Sequence, residues 1–344
     1  MSPLVTFDQA ARDTPPPRDP LVAAWLMAIC LLVTCMILVG GATRLTDSGL
    51  SITEWDFAKH LLPPLTQGGW EHEFTLYQRT TEYQIQNKDM GLDEFRFIYL
   101  WEWGHRFLGQ MMGFVFAIPF FAFLALGRLK GRVLPVLGLG LLGGMQGAVG
   151  WWMVTSGLYG RLDVSSVRLA IHLGLAFLIV AFAFRLALGA LPAQAGEAQG
   201  RFKAHKLAVT ALLALLWVQI VLGALVAGSD AGRAASDWPM INGRWSPTNY
   251  GEFTPFWTNF TENLLAVQFH HRMAGYLAAA AVLALAWRLR GLRSARIAAG
   301  LVAGQVVLGI ATILLGAPLW ISLLHQAMAV ALWLSVVRWR YAVS

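Results

Sequence analysis

Charged residues are scarce in this sequence. Only 13% of its 344 residues are Asp, Glu, Lys or Arg, against roughly 25% in soluble domains, and 57% are hydrophobic. The longest uncharged segment, 297–337, is long enough for two membrane-spanning helices of about 20 residues each. This composition argues against an ordinary soluble enzyme and predicts an all-α, polytopic membrane protein.

Cysteine is almost absent as well. Cys30 and Cys35 fall five residues apart in one predicted helix and point to different sides of it, so we do not expect a disulfide between them. The sequence also lacks a Walker loop, an HExxH motif, a CxxC pair and a c-type haem attachment site. These absences argue against a P-loop ATPase, a zinc peptidase and a CxxC redox protein.

The hydrophobic runs predict eight transmembrane helices. Arg185 interrupts one run near its end, and His270, His271 and Arg272 lie near one end of another, from which long side chains can reach the headgroups. The predicted helices span residues 23–43, 104–126, 133–153, 169–190, 207–227, 267–287, 296–315 and 319–338.

The net charge of +7 is spread over alternate connections between these helices, so it does not indicate a nucleic-acid partner. Basic residues cluster before the first helix, after the eighth, and between helices two and three, four and five, and six and seven. By the positive-inside rule both termini are predicted to be cytoplasmic. Residues 1–22 then form a cytoplasmic tail without a cleavable signal.

An internal repeat divides the chain. It predicts two tandem, pseudo-symmetric four-helix bundles, formed by residues 23–200 and 201–344 and related by an axis along the membrane normal. The matched segments are "GGATRLTDSGLSITEW" (40–55) with "GALVAGSDAGRAASDW" (223–238), "EWGHRFLG" (102–109) with "QFHHRMAG" (268–275), and Gln146 and Gly150 with Gln305 and Gly309.

Four histidines recur at matching positions of the two halves. His105 and His172 lie in the first half, and His271 and His325 lie in the second, all near the outer ends of even-numbered predicted helices. Polar side chains at membrane depth usually face the interior of a helix bundle. Two imidazoles facing each other across such a bundle can ligate a haem iron from both sides. We therefore interpret each pair as axial haem ligands, with a metal-ion site or a proton relay as the alternatives.

Residues beside the histidines fit the same interpretation. Arg106 and Arg272 directly follow His105 and His271 and are candidates for binding haem propionates, because a guanidinium matches carboxylate geometry. Their alternative role is to anchor the helices at the membrane edge. A glycine four positions after the first histidine of each half would leave room for a flat porphyrin on the same helix face; these are Gly109 and Gly275.

The two halves differ at one chemically important position. Glu102 shares a helix face with His105 and Arg106, whereas Gln268 takes its place in the second half. A carboxylate can move a proton or stabilise positive charge beside a haem, and an amide cannot take a proton at ordinary pH. Glu102 is therefore the candidate catalytic residue, with a salt bridge to Arg106 as its alternative role.

These features together resemble the heme A synthase family, whose members convert heme O into heme A for cytochrome oxidase. The resemblance covers about residues 23–338. It is carried, in order, by "GGATRLTDSGLSITEW", "WEWGHR", "IHLGLA", "LGALVAGSDAG", "SDWPMINGRW", "QFHHRMAGY" and "LLHQAMA".

The resemblance implies that His271 and His325 hold a haem b cofactor, while His105 and His172 hold the substrate heme O with Glu102 near the reacting group. One porphyrin methyl group would be hydroxylated successively to a formyl group. The protein would lie in the cell inner membrane with its haem sites toward the periplasm. Heme O synthase and cytochrome oxidase assembly factors are the implied partners, and both self-association and the electron acceptor stay open.

One departure from the family pattern excludes one class of mechanism. Some members carry a cysteine pair in the first outer loop, but residues 44–103 contain no cysteine, so a mechanism that needs the pair does not apply. Two other functions compete with heme A synthesis. A dihaem b-type cytochrome would pass electrons between quinol and an acceptor, and a transporter would be built from two repeats without any haem.

Overall fold

The computed structural model describes residues 18–54, 61–158, 160–192 and 203–344. Within these ranges the chain is helical, and its β-structure is limited to one bridge between Ile241 and Arg244. The α-helices are α1 (Pro20–Leu45), α2 (Gln67–Tyr77), α3 (Thr81–Ile85), α4 (Leu92–Ala125), α5 (Val133–Val154), α6 (Ser166–Ala190), α7 (Lys206–Gly228), α8 (Leu264–Arg288), α9 (Arg293–Leu314) and α10 (Leu319–Ala342).

Seven of these helices, all within the described ranges, are long and apolar enough to cross a membrane: α1, α4, α5, α6, α7, α9 and α10. The remaining long helix, α8, has 25 residues but carries Gln268, His270, His271 and Arg272 in its first half, which lower its hydropathy. The predicted class, an all-α membrane protein, is confirmed. The count of eight crossings stays a prediction.

The first helix begins earlier than predicted. Asp19 caps α1 by accepting hydrogen bonds from the backbone N–H groups of Leu21 (3.0 Å) and Val22 (3.2 Å), and Pro20 suits the first helical position. The predicted tail, 1–22, therefore ends inside a helix. Its residues 1–17, like the predicted boundary between the halves at 200 and 201, lie outside the described residues.

The start predicted for α4, residue 104, is wrong, because the helix begins at Leu92. The first three turns carry Asp93, Glu94 and Arg96, so they do not belong to the uncharged run from which the boundary was inferred. These turns lie outside the apolar span, and they are helical because they pack against a folded cap. His105 consequently lies near the outer end of the apolar segment but well inside the helix.

This cap is formed by α2, α3 and the first turns of α4. Its core consists of aromatic and aliphatic side chains, each at most 6% exposed: Ile52, Tyr77, Phe95, Ile98 and Tyr99. Phe95 and Tyr77 stack with their ring centroids 5.3 Å apart, and Trp70 meets the edge of Tyr99 at 5.2 Å. The cap fixes the chain around Ile52 against α4, next to Glu102.

Four helices form the centre of the molecule. α1 packs on α6, α6 on α7, and α10 contacts all three. Helices α4 and α5 lie outside α1 and α6, and α8 and α9 lie outside α7 and α10. Buried indole groups connect the central helices: Trp333 donates to the carbonyl of Phe177 at 2.8 Å, and Trp217 donates to that of Gly174 at 3.0 Å.

Candidate functional site

The four predicted histidines lie on four different helices, with His105 on α4, His172 on α6, His271 on α8 and His325 on α10. His105 and His172 are close enough to interact electrostatically, and so are His271 and His325. Each ring is surrounded by helices but keeps part of its surface uncovered. The structure therefore places His105 near His172 and His271 near His325, and their role as paired haem ligands stays a prediction.

A glycine on the preceding long helix faces each histidine ring. At every one of these glycines, an added Cβ would come within 3.0 Å of the ring carbon Cε1, closer than side chains normally approach. The four glycine and histidine pairs, with the distance from that Cβ position to Cε1, are Gly40 and His105 (2.9 Å), Gly150 and His172 (3.0 Å), Gly223 and His271 (2.9 Å), and Gly309 and His325 (3.0 Å).

The repeat matches these glycines between the halves, but the sequence alone indicates no role for them. Each of them lies on the long helix that precedes a histidine-bearing helix. This recurrence identifies them only when the two helices are known to be neighbours. Gly109 and Gly275, which were expected to leave room for a porphyrin, face the side chains of Met36 and Gln219 respectively. Their predicted role stays untested.

Carboxamide side chains lie beside three of the four rings. Gln146 Nε2 is 3.2 Å from His172 Nδ1, Gln219 Nε2 is 3.1 Å from His271 Nδ1, and Gln305 Nε2 is 3.3 Å from the Nε2 atom of the remaining ring, His325. The Oε1 atoms of all three glutamines are buried without a hydrogen-bond partner among the described residues. Buried polar atoms normally have hydrogen-bond partners, so these oxygens are available to accept a hydrogen bond.

Glu102 is 3% exposed and is held from both sides. Its Oε2 accepts hydrogen bonds from the hydroxyl of Ser51 (2.7 Å) and the N–H of Ile52 (2.8 Å). Its Oε1 pairs with Nη2 of Arg106 at 2.6 Å. The salt bridge considered from the sequence is therefore present, and the carboxylate is also fixed to the outer loop one turn before His105.

Gln268 occupies the equivalent place in the second half but bonds differently. Its Nε2 donates to the carbonyls of Ala231 (2.8 Å) and Ala235 (3.0 Å), and its Oε1 accepts from Arg272 at 2.8 Å. Both residues thus fasten an outer loop to a histidine-bearing helix. The difference is that Glu102 accepts from the loop, whereas Gln268 donates to it.

Arg106 and Arg272 bind the same outer loops. Arg106 donates to the carbonyl of Ile52 at 2.9 Å, and Arg272 donates to those of Asp237 (2.9 Å) and Met240 (2.8 Å). These guanidinium groups stand beside the histidines while bonded to backbone carbonyls. Their binding of haem propionates stays a prediction.

Asp237 organises the second of these loops. Its carboxylate accepts from the N–H groups of Gly243 and Asn242, each at 2.8 Å. The N–H of Gly243 is the main cause that lowers the pKa of Asp237 below its usual value, and the N–H of Asn242 acts in the same direction. The loop is therefore shaped around an ionised carboxylate at neutral pH.

The remaining histidines have separate surroundings. His270 stacks on Phe260, with centroids 5.0 Å apart, and its Nε2 lies 2.9 Å from the hydroxyl of Tyr250. His72 is exposed on α2, and His60 lies outside the described residues. The histidines without repeat partners thus do not join the two pairs in the part of the chain that the structure describes.

Comparison with known proteins now decides the family. The family model COX15-CtaA, described as a cytochrome oxidase assembly protein, matches residues 23–337. This chain belongs to the COX15-CtaA family. The resemblance inferred from the sequence motifs is confirmed by relatives that share nearly half of its residues.

A heme A synthase from Maricaulis maris is 49% identical over 326 residues, which cover 92% of this chain and 94% of the relative. A heme A synthase from Dinoroseobacter shibae is 48% identical and covers 93% of this chain and 86% of its own length. One from Roseobacter denitrificans is 46% identical, with coverages of 93% and 87%. These COX15-CtaA proteins match this chain across both halves of the repeat.

The residues present in this family member fit haem groups held by paired histidines. Each ring faces a glycine, where any larger side chain would press on it. His325 Nδ1 has no hydrogen-bond partner among the described residues, as suits an uncharged imidazole available for ligation. No group of three His, Cys, Asp or Glu side chains in the described ranges is arranged to hold a bare metal ion. Paired imidazoles are the ligands that a six-coordinate haem iron takes.

Proposed function

We propose that this protein is a heme A synthase, a membrane oxidoreductase that converts heme O into heme A for cytochrome oxidase. The observation that carries the proposal is the 49% identity to a protein of that name over 92% of this chain. The reaction is successive hydroxylation of one porphyrin methyl group, which becomes a formyl group after loss of water.

We assign the two histidine pairs to different haems. His105 and His172, in the half formed by residues 23–200, bind the substrate heme O. His271 and His325, in residues 201–344, bind a haem b cofactor. The difference between Glu102 and Gln268 supports this division, because only the first half offers a carboxylate at this position beside its histidines. A bound haem supplies redox-active iron.

Glu102 is the proposed catalytic residue. Loss of water from a doubly hydroxylated carbon requires one proton to leave an oxygen and another to reach the departing hydroxyl, and a positioned carboxylate can carry it. The bonds from Ser51, Ile52 and Arg106 hold this carboxylate in one orientation beside His105. The nearby arginines bind propionates in this proposal, Arg106 in the first half and Arg272 in the second.

The membrane arrangement is also part of the proposal. We infer eight crossings in two tandem, pseudo-symmetric four-helix bundles, because α8 packs between α7 and α9 as α4 packs between α1 and α5. Both termini lie in the cytoplasm, and the haem sites face the periplasmic side of the cell inner membrane. Heme O synthase supplies the substrate, and cytochrome oxidase assembly factors receive the product.

Haem analysis of membranes tests the function. The chain is produced together with a source of heme O, and the extracted haems are separated by chromatography. We expect heme A with the wild-type chain and a loss of about 100-fold or more with Glu102→Gln, within the range by which general acid–base groups contribute. Glu94→Gln, the same change on an exposed turn of the same helix, is the control and should leave heme A formation unchanged.

The competing functions give different results in the same experiment. A dihaem cytochrome would contain haem b in every sample and would never yield heme A. A transporter would purify without haem under all conditions. Either outcome with the wild-type chain would overturn the proposed function.

A further inference from the structure

Three of the four helices that face a histidine share a pattern in which glutamine stands one turn before the glycine. The pattern occurs in α5, α7 and α9, as Gln146 and Gly150, Gln219 and Gly223, and Gln305 and Gly309. In α1 the same position, one turn before Gly40, is occupied by Met36. His105 is thus the only one of the four histidines whose neighbouring helix lacks the amide.

The glutamines are bonded to the histidine residues themselves. Gln146 Nε2 donates to the backbone carbonyl of His172 at 3.0 Å, and Gln219 Nε2 donates to that of His271 at 3.0 Å. In both cases the same amide lies 3.1–3.2 Å from the Nδ1 atom of the ring. Each carboxamide therefore contacts both the backbone and the imidazole of one histidine, which restricts the orientation of the ring.

Iron ligation also requires a hydrogen-bond acceptor for the ring. When one imidazole nitrogen binds a metal, the other carries hydrogen and needs an acceptor. For His271 and His325 the backbone carbonyls of Gln219 and Gln305 are placed to act as this acceptor. The side-chain amide of Gln219 donates to the backbone carbonyl of His271, so one residue holds the histidine with its side chain and serves the ring with its backbone.

Met36 occupies the place of these glutamines without their chemistry. Its Cε lies 3.5 Å from the Cβ position of Gly109, just as Gln219 Nε2 lies 3.1 Å from that of Gly275. The two side chains therefore fill equivalent sites in the two halves. The backbone carbonyl of Met36 is placed to act as an acceptor for the His105 ring, as those of Gln219 and Gln305 are for His271 and His325, so the difference lies in the side chain. A thioether is only a weak hydrogen-bond acceptor and gives the His105 ring no amide contact.

We propose that Gln146, Gln219 and Gln305 are positioning residues that hold His172, His271 and His325 as iron ligands, and that Met36 leaves His105 without such a partner so that the first-half haem is exchanged on that face. The proposal rests on the proposed function, in which the first half binds a substrate. A substrate and its product must enter and leave, whereas a cofactor stays.

The asymmetry matches this division of roles. The second half has a glutamine beside both of its histidines, and the first half has one beside His172 alone. Partners of metal ligands commonly contribute about 10–100-fold to metal affinity. Without an amide partner, His105 would therefore hold a haem less tightly than His172, which keeps its contact with Gln146.

Haem loss from the purified, haem-containing protein tests the proposal. Excess apomyoglobin is added as haem acceptor, and the haems remaining on the protein are extracted and identified at intervals. We expect Met36→Gln to slow the loss of heme O and heme A about 10-fold while haem b is unaffected. Met36→Leu, which also lacks an amide, is the matched control and should lose haem at the wild-type rate.

A second measurement separates the amide bonds from packing. Gln219→Met should speed the loss of haem b about 10-fold, because the ring and the backbone carbonyl of His271 lose the amide that contacts them. Gln219→Glu keeps the shape of the side chain but removes the amide donor, so it should also lose haem b faster than the wild type does. A role in packing alone would leave Gln219→Glu at the wild-type rate.

The outcomes distinguish this proposal from the function on which it rests. If the wild-type protein holds both haems and makes heme A, but Met36→Gln and Met36→Leu lose haem at equal rates, the positioning role is wrong and the function stands. If Met36→Gln misfolds, the Gln219 variants decide, and retention of haem b at the wild-type level in both of them contradicts the proposal. If the wild-type protein contains no heme O or heme A when heme O is supplied, the proposed function itself fails.

Discussion

Each histidine is packed against a residue that has no side chain. At Gly223 an alanine would place its Cβ 2.9 Å from His271 Cε1, so the ring would have to turn away. We expect Gly223→Ala to remove most of the bound haem b, and Gly40→Ala to block heme A formation while haem b remains. The measurement is the haem content per chain, from the absorption spectrum of the purified protein.

The control for these glycine variants is Gly300→Ala. Gly300 also lies in a long helix, but no atom stands within 4 Å of its Cβ position. This variant should bind haem as the wild type does, since alanine is favoured over glycine in a helix by up to about 1 kcal/mol. Equal haem loss in Gly300→Ala and Gly223→Ala would show that the effect comes from the helix and not from the ring contact.

The hydroxyl of Ser51 is one of the groups that orient the Glu102 carboxylate. It is buried and donates to Oε2 at 2.7 Å, so Ser51→Ala leaves one carboxylate lone pair without its donor. A hydrogen bond to a charged group contributes about 1.5–3 kcal/mol. We expect heme A formation to fall about 10-fold or more, with haem b content unchanged, as measured by extraction and chromatography.

Ser322→Ala is the comparison for this change, because the Ser322 hydroxyl has no hydrogen-bond partner among the described residues. It should leave heme A formation at the wild-type level. An unchanged rate in Ser51→Ala would mean that the orientation of Glu102 does not depend on the loop.

At the residue scale, the sequence identifies the matched histidines more readily than the residues that surround them. His105, His172, His271 and His325 are found from the repeat alone, because duplication preserves their positions along the chain. The bond between Ser51 and Glu102 joins residues 51 positions apart and depends on how the outer loop folds over α4. No periodicity in the sequence encodes such a contact.

At the scale of elements, the cap over α4 contains a carboxyl group whose pKa is raised by its surroundings. Glu82, in α3, is 2% exposed, and burial raises its pKa from 4.5 to about 8, with the charges of Glu102, Asp163 and Asp47 acting in the same direction. The hydrogen bond from Tyr77 opposes this shift only in part. The folded cap therefore binds a proton at Glu82 more tightly than the unfolded chain does.

This linkage predicts how the stability of the cap depends on pH. Because the folded pKa lies above the ordinary value, the stabilisation is complete below about pH 4.5 and is lost as the pH rises toward 8. Hydrogen exchange in α2 and α3 should therefore be faster at pH 8.5 than at pH 6, after correction for the intrinsic rate. Glu82→Gln should remove the difference, whereas Glu71→Gln, on an exposed turn of α2, should retain it.

The start of α4 shows why element boundaries were partly missed. A criterion based on uncharged runs finds the segment that crosses the apolar layer and stops where Arg106 and Glu102 appear. The helix continues because Phe95, Ile98 and Tyr99 pack into the cap core. The other ends of the eight predicted helices lie within about four residues of their predicted positions.

At the scale of the whole molecule, one buried arginine forms ion pairs with both halves. Arg44, at the end of α1, pairs with Asp47 of its own half (2.7 Å), with Asp163 (3.1 Å), and with Asp230 of the second half (2.6 Å). The two aspartates matched by the repeat, Asp47 and Asp230, both have left-handed backbone conformations, with φ of 48° and 55°. Equivalent turns of the two halves thus share one cation.

Removing that cation should weaken the junction between the halves. In Arg44→Ala three carboxylates would face one another, and the pKa of Asp163 is already raised, first by burial and then by the charges of Asp230 and Asp47. Breaking a fully buried pair costs about 3–5 kcal/mol, but these carboxylates are 40–47% exposed, so we expect about 2 kcal/mol. Thermal unfolding in detergent measures this loss.

Arg161→Ala is the control for the junction, because Arg161 is exposed in the same loop as Asp163 and acts on it only through its charge. Its effect should be below about 0.5 kcal/mol. Equal losses of thermal stability in the two variants would mean that net charge, and not the bonded arginine, stabilises the junction.

The assignment of the two histidine pairs to different haems is tested most directly by haem analysis of four alanine variants, each produced with a supply of heme O. His271→Ala and His325→Ala should lose the haem b signal from the purified protein. His105→Ala and His172→Ala should keep that signal and yield no heme A. Identical haem content and product in all four variants, or a wild-type protein without bound haem, would contradict the assignment of one histidine pair to cofactor and the other to substrate.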